Sequence, residues 1–561
     1  MILACGMGVA DRNAWAQQAP PRVTPQQILP DVRLQQLPPT EPRPAAPEFP
    51  VPEMPPTRAP AGAESVRFVF GGLAIEGATV YSAETLDEQF RDSIGQEVTL
   101  ADAFAMADRV QRLYRDDGYF LTRVIVPAQT VRDGKLRIRV LEGYIAAIEF
   151  QDDIGPAQKL VQAYLRPVTT QRPVRLATLE RALLLCNDIP GLSVAALLEP
   201  SGTELGAADL FITATRTAFD GFATIDNFGD EFTGEWEGAA GISSNAVTRL
   251  GERVSLIGLI SEPWVSNNEV VGQFSGSWRI GGDGLFFEHL VSYGKSKPGS
   301  TIEEFGFDSR ELLIGTTAVY PILRTRNLNL WVRGGFDYTD ANTDVFGGEK
   351  FSRDRLRVVH AGVKSEVRDS WRGFNVGEVT FRQGLPVLNA TKRSDDFKSR
   401  EDGTATSSLI DASIARRQPI YGDFSLYGHA AGQYAFSNLL SEQEFDVGGL
   451  AFGRGYNFAE LSGDSGVGAT VELQYTYRPK FWSIDTVQPF AFYDFGEVWT
   501  RNSASTDQQE GSLSSAGIGV RGTVFDMLTI EITVAKPLTR NSERANGGRE
   551  PQVLFRAIGR F

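Results

Sequence analysis

The side chains that most often carry catalysis or bind metals are few and widely spaced. Two cysteines, Cys5 and Cys186, and three histidines, His289, His360 and His429, are the only such thiols and imidazoles in 561 residues. A zinc site or a catalytic triad needs several of these groups at defined spacings. The sequence therefore predicts no metal site, no cofactor and no enzyme activity.

Three short strings match functional motifs but lack the context those motifs need. The segment from Gly517 to Gly522 fits the GxGxxG pattern, yet it lies between alternating segments and opens no helix. Ser465 lies in a Gly-Asp-Ser-Gly string without a base at a defined spacing. Asp116 and Asp117 precede a glycine, but the remaining oxygen ligands of a calcium loop are missing. None of the three predicts a reaction.

One pair of charges could instead hold a structure together. Arg454 lies between two glycines, and Asp494 is the single acid ahead of a glycine in the string FYDFG. A guanidinium and a carboxylate can form a bidentate, charge-assisted pair. From these residues alone, Arg454 could equally be a solvated loop cation and Asp494 an unrelated charge. We hypothesise that Arg454, on a loop, meets Asp494, on a strand of a predicted β-barrel. The proposed contact includes Gly453, Arg454, Gly455 and Tyr456 on the loop and Asp494 and Gly496 on the strand.

The chain from about residue 217 onward contains Arg454 and Asp494 and must position them. Apolar and polar residues alternate along it, which is typical of β-strands. In one segment Val471 and Leu473 alternate with Glu472 and Gln474. Over roughly 345 residues, with many glycines and aromatic residues, such alternation favours a transmembrane barrel of roughly 14 to 18 strands with a polar lumen. Each segment alone would also fit a soluble β-sandwich. No apolar run is long enough for a transmembrane helix.

The final strand, VLFRAIGRF, supports the same interpretation. Its alternate residues face one way, and it closes on the aromatic Phe561. A terminal aromatic residue is typical of bacterial outer-membrane barrels, which predicts the barrel-assembly machinery as a partner that contacts Phe561. The net charge of −15 and the absence of a concentrated basic face argue against nucleic acid as a partner.

Two small α+β units are predicted ahead of the barrel. The first opens with a strand over 66–77, followed by a helix with Ser82 as N-cap and a second helix with Thr99 as N-cap that ends at Gly118. Two alternating segments follow, with Asp133-Gly134 in the turn between them, so the order is β-α-α-β-β. The same order recurs after Tyr144. The thiol of Cys186 is predicted to lie buried in the second unit.

The boundaries follow from these patterns and from proline content. Residues 1–16 form a possible remnant of a signal peptide, 17–37 a short amphipathic helix and 38–63 a proline-rich linker. The first α+β unit is predicted over 64–145, the second over 146–216 and the barrel over 217–561.

Four segments together resemble the TpsB family, the outer-membrane transporters of two-partner secretion, also called haemolysin secretion/activation proteins. They are Tyr114 to Ile145, Asp226 to Gly234, the GRGY string at 453–456 and the FYDFGEV string at 492–498. The resemblance implies two POTRA domains in the periplasm and a 16-stranded barrel in the outer membrane. It also implies that Arg454 is the lumen-facing arginine of an inward-folded loop and Asp494 its partner. The departure is Gly453, where the family usually carries an aliphatic residue.

The function implied by this resemblance is export of a secreted protein. A TpsA-like exoprotein with an N-terminal secretion domain would be recognised in the periplasm by the POTRA domains, through strand addition, and would cross the barrel without ATP. Outer-membrane lipid is the other expected partner. The alternatives are a POTRA-barrel assembly factor and a passive porin. The expected client-binding residues are Tyr119, Arg123, Arg137, Arg139 and Tyr144.

Overall fold

The computed structural model describes residues 57–561, with the exception of 203, 263–268, 480–482, 502–510 and 543–546. The predicted leader over 1–16, the amphipathic helix over 17–37 and most of the proline-rich linker lie outside the described residues. No helix in the described part of the chain is long and apolar enough to cross a membrane.

The first α+β unit combines a three-stranded sheet with a separate pair of short strands. In the sheet, β5 (Lys135–Leu141) lies between β2 (Gly72–Glu76) and β4 (Arg123–Ile125), so the order is β2-β5-β4, and β1 (Arg67–Val69) pairs with β3 (Glu97–Thr99). The single strand predicted over 66–77 is divided in two, because Gly72 adopts a positive φ of 115° that redirects the chain. Its elements are β1 Arg67–Val69, β2 Gly72–Glu76, α1 Ala83–Glu88, β3 Glu97–Thr99, α2 Leu100–Asp116, β4 Arg123–Ile125 and β5 Lys135–Leu141.

Local capping explains where the helices of this unit begin and end. The Ser82 hydroxyl accepts a hydrogen bond from the Thr85 amide at the start of α1. Thr99 and Asp102 exchange side-chain and backbone bonds at the start of α2, which is a capping box. Gly118, with φ of 89°, follows the end of α2 and turns the chain away. The predicted caps are all present.

The second α+β unit has the order β-α-α-β-β, and the first unit has this order with the short strands β1 and β3 added. Its sheet has the order β6-β8-β7, and β6 runs parallel to β8. Tyr144 and Ile145 pair with β8, so these two residues, assigned to the first unit by the predicted boundary, belong to the second sheet. Cys186 is fully buried, and this burial raises the pKa of its thiol. The elements are β6 Tyr144–Phe150, α3 Gln158–Thr170, α4 Leu176–Asn187, β7 Leu192–Pro200 and β8 Ala207–Arg216.

The second unit packs directly against one end of the barrel. The Arg324 guanidinium donates to both carboxylate oxygens of Asp188, at 2.7 and 2.8 Å. Arg181 donates to the Pro321 carbonyl at 2.8 Å. A Cβ atom on Gly251 would lie 2.5 Å from a methyl group of Leu160, so the turn and the helix touch closely. Ion pairs and apolar contacts therefore join this unit to the barrel turns.

A closed antiparallel barrel of 16 strands follows. The first barrel strand, β9, closes the ring by pairing with the last, β26, over five residue pairs from Asp226 with Arg556 to Phe222 with Arg560. The predicted fold class is confirmed. The wall is built from β9 Phe219–Asp226, β10 Glu237–Asn245, β11 Arg253–Ser261, β12 Glu269–Ile280, β13 Leu285–Ser296, β14 Asp308–Arg324, β15 Leu328–Val345, β16 Glu349–Arg368, β17 Phe374–Gly384, β18 Ser408–Tyr421, β19 Phe424–Ala435, β22 Ser465–Tyr475, β23 Ile484–Trp499, β24 Gly511–Val524, β25 Leu528–Pro537 and β26 Gln552–Arg560.

The two faces of the wall differ as the alternation predicts. On β22, Val471 and Leu473 are each 46% exposed on the outside, whereas Glu472 and Gln474 are 4% and 2% exposed and face inward. An apolar exterior suits lipid, and a polar interior suits a lumen. Two further short strands, β20 Phe445–Val447 and β21 Leu461–Gly463, pair with each other as a hairpin and take no part in the wall.

Candidate functional site

The loop over 436–464, between β19 and β22, is folded into the barrel lumen. It carries the β20-β21 hairpin, with its tip over 448–460. Glycines on the inner face of the wall make room for it. A Cβ atom on Gly468 would lie 2.4 Å from the Phe452 ring, and one on Gly496 would lie 2.6 Å from a methyl group of Val447. Side chains at these two wall positions would collide with the loop.

Arg454, at the tip of this loop, meets Asp494 on β23. Its Nη2 donates to Asp494 Oδ1 at 2.7 Å, its Nε donates to Oδ2 at 3.1 Å and its backbone amide donates to Oδ2 at 3.0 Å. Arg454 is 5% exposed and Asp494 is fully buried. The structure therefore brings the two predicted charges together in the bidentate geometry that favours an arginine over a lysine.

A second carboxylate, which the sequence hypothesis did not include, shares the same guanidinium. Glu472 Oε1 accepts from Arg454 Nη1 at 2.6 Å. The other side of Glu472 is held by Arg521, whose Nη1 and Nη2 each lie 3.1 Å from one of its oxygens. Arg521 also donates from Nε to Glu531 at 2.7 Å. The site is thus a chain of alternating charges across the inner surfaces of β22, β24 and β25.

Neutral groups complete the environment of the pair. The Thr470 hydroxyl accepts from Arg454 and donates to Asp494 Oδ1 at 2.7 Å, and the Ser515 hydroxyl donates to Oδ2 at 3.1 Å. The guanidinium carbon lies 3.5 Å from the centroid of the Phe492 ring. Buried charges with satisfied hydrogen bonds and a stacked ring can hold a loop in one position.

The alternation of side chains along the strands could have indicated Thr470, Glu472 and Phe492, which the sequence hypothesis did not include. Thr470 and Glu472 lie two residues apart on β22, and Phe492 and Asp494 lie two residues apart on β23, so each pair shares the inner face. The register then places Thr470 directly opposite Asp494. The alternation of side chains along each strand could therefore have identified these residues as facing the lumen. Which of them meet across the two strands depends on the register between the strands.

The remaining predicted residues of the loop tip pack against the wall. Gly453 has φ of 143°, and a Cβ atom there would lie 2.7 Å from a methyl group of Leu513. A Cβ atom on Gly455 would lie 2.8 Å from the Pro537 nitrogen. Tyr456 is fully buried, and its hydroxyl donates to the Ser514 carbonyl at 3.1 Å. The site thus requires small residues on both sides of Arg454.

The predicted client-binding residues do not form one site. Tyr119 and Tyr144 lie at the junction of the two α+β units, where the guanidinium carbons of Arg175 and Arg172 lie 5.0 and 3.9 Å from their ring centroids. The Tyr144 hydroxyl also bonds to Glu204. The Tyr119 ring therefore contacts the second unit, whereas the contacts of Tyr144 lie within the second unit.

The three predicted arginines lie on the sheet of the first unit instead. Arg137 and Arg139 are exposed on β5, and both pair with Glu76 on β2, at 3.5 and 3.4 Å. Arg123 is exposed on the edge strand β4. These cations share the open surface of the three-stranded sheet.

Ser465, from the Gly-Asp-Ser-Gly string, has a structural role. The Ser465 hydroxyl accepts a hydrogen bond from the Ala435 amide at 3.1 Å. Across the described residues, no group of three or more His, Cys, Asp and Glu side chains could hold a metal ion. The ion pairs and hydrogen bonds at Arg454 join the loop tip to the barrel wall, so the arrangement anchors the loop.

The comparisons with known proteins agree with this architecture. Residues 206–522, more than half of the chain, match the family described as haemolysin secretion/activation protein ShlB/FhaC/HecB. The chain belongs to this family. Residues 68–143 match the ShlB-type POTRA domain, which identifies the first α+β unit as a domain of the haemolysin secretion/activation proteins. The resemblance to the transporters of two-partner secretion is confirmed.

Relatives and solved structures extend the likeness over most of the chain. The heme/hemopexin transporter protein HuxB of Haemophilus influenzae strain 86-028NP is 25% identical over 466 residues, covering 81% of each protein. The outer membrane transporter CdiB of Dickeya dadantii strain 3937 is 22% identical, covering 77% of this chain and 75% of CdiB. The structure of CdiB from Escherichia coli superposes with a TM-score of 0.74 at 19% identity, covering 91% of this chain and 94% of CdiB. The protein is an outer-membrane transporter of two-partner secretion.

Proposed function

We propose that this transporter recognises one TpsA-like exoprotein in the periplasm through its POTRA domains and exports it through the barrel without ATP. The observation that carries the proposal is the loop over 436–464, anchored inside the lumen by Arg454 to both Asp494 and Glu472. A polypeptide can pass only when this loop is displaced. The site then acts as a lock that keeps the barrel closed until a client engages.

Recognition of the client is proposed to use open strand edges in the POTRA domains. The sheet of the first unit ends in β2 and β4, and the sheet of the second ends in β6 and β7. An extended secretion domain can add as a further strand to such an edge. Arg123 on β4, with Arg137 and Arg139 on the neighbouring strand, would then contact acidic side chains of the client. Tyr119, which contacts Arg175 of the second unit, would help to set the angle between the two units, and Tyr144 would fix the start of the second sheet.

The energy for export is proposed to come from folding of the exoprotein outside the cell. A POTRA-barrel assembly factor and a passive porin are the alternative functions. The POTRA unit packed on the barrel by the Arg324 and Asp188 pair favours delivery of a substrate over passive diffusion. The contact of Phe561 with the barrel-assembly machinery stays a prediction.

Export of the partner exoprotein, which is to be sought among the proteins encoded beside this gene, tests the proposal. We expect Arg454→Ala to lower export while the amount of folded, heat-modifiable barrel stays unchanged, because a loop without its carboxylate partners no longer organises the lumen in the defined arrangement that the client is proposed to open. Arg333→Ala is the matched control, since Arg333 is a lumen arginine that pairs with Glu288 and Glu378 outside the loop site.

Three outcomes would contradict the proposal. Normal export by Arg454→Ala and Asp494→Ala would exclude the lock. A general loss of unrelated outer-membrane barrels after deletion of the gene would identify an assembly factor. Free permeation of small solutes through the wild-type protein, with export unaffected by its deletion, would identify a porin.

A further inference from the structure

A cavity of about 910 Å³ opens at the extracellular end of the barrel. It lies between the loop over 385–407 and the first residues of the loop over 436–464. Its wall contains three cationic side chains, Lys392, Arg393 and Arg501, and one carboxylate, Asp402. Asp402 is already engaged, because it accepts from the Asn438 amide group at 2.6 Å and pairs with an arginine outside the cavity wall. The cavity is therefore locally basic on a protein with a net charge of −15.

The cations in this wall differ from the other arginines of the same loop region. Arg400 pairs with Asp464 at 2.6 Å, and Arg355 pairs with Asp395 at 2.9 Å. Within the part of the chain that the structure describes, Lys392, Arg393 and Arg501 form no ion pair. Cations that line one cavity without carboxylate partners repel one another, so an anionic ligand would stabilise them.

The cavity also offers neutral groups for a polar ligand. The Ser437 hydroxyl is buried in its wall and has no hydrogen-bond partner among the described residues. Thr404 and Thr406 bond to each other and leave further hydroxyl capacity. The Phe436 ring is 52% exposed at the rim and provides an apolar face. Hydroxyl groups beside an exposed ring suit a sugar, whose polar edges and apolar faces alternate.

The rim of the cavity continues into the lipid-facing surface. Phe436 packs edge to face with Tyr434, with ring centroids 5.1 Å apart. Tyr434 lies opposite Ile410 in the β18-β19 register, and both side chains are exposed on the outer wall. Arg501 approaches the Tyr434 hydroxyl at 3.5 Å. Aromatic residues at the end of an outward apolar face mark the membrane interface, so the cavity lies at the level of lipid headgroups.

We propose that this cavity binds the phosphorylated sugar headgroup of an anionic glycolipid in the outer leaflet, namely lipopolysaccharide. The cations of Lys392, Arg393 and Arg501 would bind phosphate oxygens through charge-assisted hydrogen bonds, and the sugar would stack on Phe436. The acyl chains would continue down the outer wall over Tyr434. The bound lipid would thereby join the loop over 385–407 to the base of the loop that carries Arg454.

The test uses the purified full-length protein in phospholipid nanodiscs, with bound lipopolysaccharide counted by native mass spectrometry. We expect the double variant Lys392→Glu, Arg393→Glu to reduce binding at least tenfold. The double variant Lys297→Glu, Lys350→Glu is the matched control, because both lysines are exposed at the same end of the barrel and lie outside the cavity. Heat modifiability verifies that each variant is folded.

The chemistry and the source of the ligand are tested separately. Dephosphorylated lipopolysaccharide should bind the wild-type protein at least tenfold more weakly, and soluble core oligosaccharide freed of lipid A should not compete at equal concentration. Equal binding by the cavity variant and the wild type would overturn the proposal, as would equal binding with and without phosphate. Full competition by the soluble oligosaccharide would show that the occupant is not a lipid.

Discussion

Replacement of Arg454 by alanine should release the inward-folded loop from the barrel wall. The substitution removes two contacts to Asp494 and one to Glu472. Glu472 keeps Arg521 as a partner. Among the described residues, the buried Asp494 then keeps the Thr470 and Ser515 hydroxyls and the backbone amide of residue 454 as its donors. An uncompensated carboxylate then favours states in which the loop has moved and water can enter.

The size of the effect follows from burial. Removal of one partner from a fully buried ion pair costs roughly 3 to 5 kcal/mol. The three remaining donors to Asp494 place this case at the lower end, at about 3 kcal/mol, which corresponds to roughly a hundredfold change in an equilibrium constant. Arg454→Ala should therefore raise the population of the displaced loop by about two orders of magnitude.

Hydrogen-deuterium exchange of the amides over 448–460 measures this population. We expect exchange roughly a hundredfold faster in Arg454→Ala, at unchanged exchange in β23. Asp494→Ala should act similarly, and the double variant should add little, because the two single changes remove the same pair. Arg333→Ala serves as the control. Unchanged exchange in Arg454→Ala, or fully additive effects in the double variant, would refute the idea of a coupled lock.

Two further predictions concern the loop tip and the first POTRA domain. Gly453→Val should slow export and accelerate amide exchange of the loop tip, because the valine side chain would collide with Leu513 at a backbone φ of 143°. Adding Leu513→Ala should partly restore the export rate and the slow exchange. Normal export and normal exchange in Gly453→Val would contradict this packing. Burial would by itself raise the pKa of Glu142, but donors from Thr79, Val80 and Tyr114 hold it below the ordinary value of 4.5. Stability from this group is therefore complete above pH 4.5 and is lost as the pH falls through the lowered pKa. The measurement is the free energy of urea unfolding of the first POTRA domain within the full chain, followed by its amides between pH 6 and pH 3. Glu142→Gln should weaken the dependence of this free energy on pH. The same pH dependence in Glu142→Gln and in the wild type would contradict the prediction.

Several features of this protein follow from the sequence alone because they depend on local patterns. The alternation of Val471 and Leu473 with Glu472 and Gln474 determines which face of the wall meets lipid. Ser82 and Thr99 determine where two helices begin, because their side chains satisfy amides that have no partner within the helix. The pairing of Arg454 with Asp494 was predictable only with the family resemblance, since forty residues separate them and no local rule connects a loop to a strand.

Other features were decided only by the tertiary structure. A period of two residues assigns a side chain to a face but does not select its neighbour on the next strand, which depends on the register. Closure of the barrel sets Thr470 opposite Asp494 and Asp494 opposite Ser515. Entry of the loop then places one guanidinium between Asp494 and Glu472, so Glu472 also anchors the loop to the wall. The basic cavity beside Phe436 likewise exists only because loops distant in the sequence meet above the outer wall.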